Sequence, residues 1–180
     1  MLALGWVLFA NGAATARNSD EDAWVQMMEV CVTVIADQSD AIMEGFPAAT
    51  ALVNVEPLPE RAVRHPDAPV VASAVSDGSQ WFMCLVAGDP AVKAAESGGL
   101  VRAITGTLAH QISQSNDHAV TMKHTFAPVR VTCQDAGKMT AAFAFLNSDG
   151  EFRVGVVNSL PRDTVNPCQE LDEKAGRNAG

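Results

Sequence analysis

The sequence predicts a two-layer α+β domain, with helices packed on a mainly antiparallel sheet, and three observations lead to it. Apolar residues recur at helical spacing in two separated segments. They alternate or run on continuously in five shorter ones, and turns rich in Asp and Gly join consecutive members of that second set. Two helices alternating with a hairpin and a three-stranded meander, in the order α-β-β-α-β-β-β, pack naturally as one layer on another.

Ahead of the first element stands an apolar leader. The first sixteen residues hold no Asp, Glu, Lys or Arg, and residues 2–10 are apolar apart from Gly5. That run suits the core of a secretory signal and is far short of the ~20 apolar residues that span a bilayer. Ala14-Thr15-Ala16 has the small-x-small pattern of a cleavage site, so residues 1–16 are read as a signal peptide and the mature chain as starting at Arg17. The basic stretch that usually precedes such a core is absent, and only the initiator amine carries charge there. No Cys precedes Cys31, which gives a lipid anchor nothing to attach to.

The first helix is expected to start at Ser19, whose hydroxyl caps it, with Asp20, Glu21 and Asp22 complementing its positive end. Trp24, Met28, Cys31 and Ile35, spaced four, three and four apart, form its buried stripe. A break near residues 37–40 is followed by a further turn to Glu44, where Gly45 stops it. Residues 47–69 hold five of the nine prolines, which makes them a loop. Arg61, Arg64 and His65 within it are the one local positive cluster in an acidic chain and a candidate contact loop for a partner.

Residues 70–76 and 80–87 are read as a hairpin about Asp77-Gly78-Ser79. In the second strand Trp81, Met83 and Leu85 alternate with Phe82, Cys84 and Val86, so both faces are apolar and the strand belongs at the sheet centre. Asp89-Pro90 is expected to open the second helix, interrupted at Gly98-Gly99 and carrying Val101, Ile104, Leu108 and Ile112 inward. Residues 114–124 read as a polar connection. Residues 126–133, 139–147 and 151–158 then read as three strands, with Arg130, Thr132 and Arg153 making one face of this meander partly polar. Beyond Cys168, residues 169–180 are expected to be a mobile acidic tail, leaving residues 17–168 as a single exported domain.

Cys31, Cys84, Cys133 and Cys168 are even in number and all lie beyond the leader, which in an oxidising compartment means two disulfides. Separations of 53, 49 and 35 residues give no Cys-x-x-Cys pair for zinc or redox chemistry. The expected pairing is Cys31 with Cys84, a helix stripe residue over a central strand, and Cys133 with Cys168, which tethers the tail.

A net charge of -9 opposes nucleic acid and anionic lipid as partners, since both are bound through Lys and Arg. The chain has no Tyr and only three Trp, which supplies few stacking platforms for sugars or bases. Serine-hydrolase, zinc-protease, Walker and EF-hand motifs are absent. His110, His118 and His124, with Asp117, would compose an acid-base or divalent-metal site only if folding gathered them. The sequence thus assigns no catalytic residue, no metal and no cofactor. The expectation is a small periplasmic or secreted binding protein that contacts an envelope protein or other envelope component. The competing expectation is an envelope hydrolase assembled from distant residues, or a hydrolase inhibitor.

Overall fold

The computed structural model describes residues 19–53, 55–134, 138–160 and 164–169. The expected leader, and all but the first residue of the expected tail, lie outside the described residues. Two helices cover one face of a seven-stranded antiparallel sheet, an α+β architecture. The strands are β1 (Arg61–Arg64), β2 (Val70–Ser76), β3 (Trp81–Gly88), β4 (His118–Val120), β5 (Val129–Cys133), β6 (Met139–Leu146) and β7 (Phe152–Val157). Their order across the sheet is β1-β2-β3-β7-β6-β5-β4. The last strand therefore slots between β3 and β6 and joins the two halves.

Helix α1 (Ser19–Asp37) buries Trp24, Met28, Cys31 and Ile35 as their spacing predicts. It also buries Met27, Val30 and Val34, a wider stripe than expected, because α1 packs on α2 as well as on the sheet. The helix ends at Gln38, whose φ of 54° is left-handed. The Gln38 amide then does the work of a strand: its Nε2 donates to Trp81 O at 2.8 Å, and Trp81 N donates back to its Oε1 at 3.0 Å. A short 3-10 turn, Ala41–Gly45, follows and buries Met43 completely.

Pairing registers place the side chains. Ala72, Ala74, Cys84, Val86, Val154 and Val156 face the helices in the main core. On the opposite face Val129, Val131, Met139 and Ala141 form a smaller cluster with Cys168. Both disulfides pair as expected, with Cα atoms 5.3 Å apart for Cys31–Cys84 and 5.4 Å for Cys133–Cys168. The first fastens α1 to β3 through the main core. The second fastens the C-terminal segment over the outer face of β5.

Several elements differ from the sequence reading. The proline-rich segment carries strand β1, and residues 47–49 pair along its outer edge: Arg64 N donates to Pro47 O at 2.9 Å and Ala49 N to Ala62 O at 3.0 Å. Proline is tolerated there because an edge needs no further donor. Asp89-Pro90 does not open a helix, since residues 92–94 instead extend the sheet beside β7, with Phe152 N donating to Val92 O at 2.7 Å. Helix α2 (Gly98–Gln114) begins where an interruption was expected. Glu21 of α1 reaches over Gly99, where a Cβ would lie 2.7 Å from its carboxylate oxygen. The polar connection before β5 contains β4. The strand expected from residue 126 begins at Val129; Phe126 still donates to Ala144 O at 3.1 Å, but Pro128 interrupts the ladder.

The meander has no single polar face either. Arg130 pairs with Ala142 and points to the helices, whereas Arg153 pairs with Phe145 and points to the opposite side.

Candidate functional site

Function has to be sought among side chains that folding leaves uncommitted, so the buried charges come first. Arg130 is only 8% exposed. Its Nη1 donates to Glu29 Oε1 at 3.1 Å and, at very short range, to Gln111 Oε1, and its Nε lies 3.8 Å from Asp117 Oδ2. Gln111 Nε2 in turn donates to Glu29 Oε1 at 2.6 Å, so one guanidinium ties α1, α2 and β5 together. On the outer face Arg153 Nη2 donates to Glu151 Oε2 at 2.7 Å, and Lys93 Nζ reaches the other oxygen of that carboxylate at 2.9 Å. These contacts fix the sheet extension at residues 92–94 to β7.

Two carboxyl groups are held below their ordinary values. The Lys93 hydrogen bond, aided by Asn147 and by the charge of Arg153, holds Glu151 down against the opposing effect of burial. Asp77 is lowered from 3.8 to about 2 by bonds from the Ser79 hydroxyl and the Ser79 and Gln80 amides in the hairpin turn. A general acid needs the opposite shift, so both groups act as structural anions.

The sequence-selected residues are dispersed. On β1, Arg61 pairs opposite Ala74 on the helix side, 3.9 Å from Asp40, while Arg64 pairs opposite Val71 on the outer side. His65 follows the strand, its Nε2 2.8 Å from Gln26 Oε1 and its Nδ1 accepting from Asp67 N at 3.1 Å. It buttresses the loop against α1. His110 lies in the last turns of α2, His118 on β4, and His124 in the following turn at a φ of 68°. Among the described residues no three His, Cys, Asp or Glu side chains are grouped to hold a metal ion.

Asp117 and His118 line one open concavity of about 510 Å³ beside Thr132, without His110 or His124, and three more concavities are relevant. A cleft of about 350 Å³ lies where the N-termini of α1 and α2 meet, with Asp20, Glu21 and Glu96 around Trp24, Val92 and Leu100. Carboxylates at helix N-termini complement the dipole, which accounts for their place. A cup of about 530 Å³ is lined by Gln38, Gln80, Gln134 and Asn158. Backbone carbonyls already occupy the Gln38 and Gln134 amides. The third, about 340 Å³, lies on the outer sheet face, where Leu52, Val53 and Val55 cross above Leu85, Phe145 and Arg153.

That third cleft is the root of a loop that the sequence located only as part of a longer segment. The loop leaves the edge of β1 after Ala49 and returns at Glu60, whose N–H donates to Ala74 O at 3.0 Å. Its ends are therefore fixed side by side, and its apolar first half is seated on the sheet. The second half, Glu56-Pro57-Leu58-Pro59-Glu60, projects, with Leu58 67% exposed. A short surface loop with adjacent ends is a frequent carrier of function.

No protein-family model, curated protein or solved structure matches this chain. Among the described residues no helix is long and apolar enough to cross a membrane. The functional reading therefore rests on the residues themselves.

Proposed function

We propose that this is an exported protein that acts by binding an envelope or extracellular component rather than by transforming a substrate. The observation that carries the reading is the loop between Ala49 and Glu60, clamped at both ends and seated on the sheet by Leu52, Val53 and Val55. A loop held in this way loses little further freedom when a partner orders it, which favours recognition. Export is supported by the apolar leader and by two disulfides, which persist in oxidising compartments. Inhibition of an envelope hydrolase is a special case of the same reading.

The test is retention of a partner from envelope extract on immobilised protein. The comparison is with a variant whose projecting residues 56–59 are replaced by a shorter Gly-Ser linker, which leaves Leu52, Val53 and Val55 on the sheet. Retention by the intact protein, with loss in the shortened variant at unchanged melting temperature, supports the proposal. Equal retention by both contradicts it.

A further inference from the structure

We propose, resting on the binding reading above, that Leu58 is the anchor of that contact and enters an apolar pocket on a partner protein whose rim carries Lys or Arg. An exposed leucine alone is ordinary. What sets this one apart is its framing by Pro57 and Pro59, with Glu56 and Glu60 outside them. Each proline locks its own φ and restricts the residue before it, so the leucine is held out rather than free to fold back onto the surface. Leu58 is 67% exposed, against 37% for Ile42 and 40% for Phe126.

Charge defines the partner. Glu56 and Glu60 are exposed, and among the described residues neither forms an ion pair. Arg61, the next residue, is turned to the helix side and lies close to Asp40, so it does not neutralise the tip. An apolar side chain between two free carboxylates, on a protein of net charge -9, complements an apolar pocket with a cationic rim. The projecting shape makes this protein the inserting side of the interface. Interface anchors fill a pocket on the partner while a surrounding ring of contacts excludes water.

Val165 supplies an internal control: it is 68% exposed but has no proline next to it on either side, and a carboxylate residue, Asp163, stands two positions away on one side only. The experiment places a photoreactive benzophenone side chain at position 58, 42, 126 or 165 of the full chain, in cells that make the protein natively. The expected result is one discrete protein adduct from position 58, none from 165, and Lys or Arg beside the crosslinked site. Against that partner, Leu58→Asp should weaken binding about tenfold or more and Leu58→Ile should bind as the parent does. Glu56→Lys with Glu60→Lys should slow association and flatten its salt dependence. Adducts from 42, 126 or 165 but not from 58 overturn the inference while leaving the binding reading in place. No adduct from any of the four positions overturns both.

Discussion

Thr140 sits on β6 at 3% exposure with its hydroxyl buried and, among the described residues, without a hydrogen-bond partner. An unsatisfied buried hydroxyl costs about 1–3 kcal/mol, whereas an apolar group of the same shape costs nothing of that kind. Thr140→Val is therefore expected to raise stability by about 1 kcal/mol in denaturant titration. Gly155 on β7 is the opposite case. A Cβ there would meet Phe143 Cζ at 2.9 Å and Phe145 Cε1 at 3.3 Å, so the two neighbouring rings would have to shift. Gly155→Ala should cost roughly 1–3 kcal/mol by overpacking, read by the same titration. Asp77 gives the pH dependence at this scale. Its folded value of about 2 is below the ordinary 3.8, so its stabilisation is complete above about pH 4 and is lost as pH falls through about 2. A carboxyl NMR titration should show that midpoint, and Asp77→Asn should abolish this contribution. The role of Asp77 in the turn was legible because Asp-Gly has a local meaning. The role of Gln38 was not, since its partner Trp81 lies 43 residues away.

Elements were legible where their pattern is long. The stripe of α1, the β2–β3 hairpin and the three-strand meander all exceed the span needed to show a period. β1 and β4, of four and three residues, do not, and prolines or polar residues surround them. The start of α2 was misplaced because Asp-Pro is a sound local signal that pairing of residues 92–94 with β7 overrides. The polar face was misread because Arg130 and Arg153 alternate alike in sequence, and only the strand register puts them on opposite sides. The Arg130 cluster makes an element-scale prediction. Glu29→Ala leaves a buried guanidinium short of a partner and should destabilise by about 1–3 kcal/mol, while Arg130→Met, which removes the charge itself, should cost less. The disulfides make another. Cys31 and Cys84 are fully buried while Cys133 is only partly so, and mild reductant should open Cys133–Cys168 first. Each bridge closes a long loop and is worth at most roughly 4 kcal/mol. Mass mapping of alkylated peptides gives the order, and earlier alkylation of Cys31 would refute it.

At the scale of the molecule, the architecture and both bridges were readable from the chain, and the candidate site was readable only in part. Proline density marked residues 47–69, but the cluster chosen within it, Arg61, Arg64 and His65, is divided by the alternation of β1 and the buttressing of His65. The projecting tip lies a few residues earlier, where the Glu-Pro-Leu-Pro-Glu pattern does not by itself reveal that the leucine stays exposed. As proposed above, these levels meet in one molecule: a domain stapled by two bridges, exported, and presenting a loop to a partner. Intact mass spectrometry of the protein recovered from its native envelope or culture fluid, without reductant, tests this most directly. The expected chain starts at Arg17 and lacks four hydrogen atoms, two for each of its two disulfides. A full-length chain carrying four free thiols, found inside the cell, would contradict it.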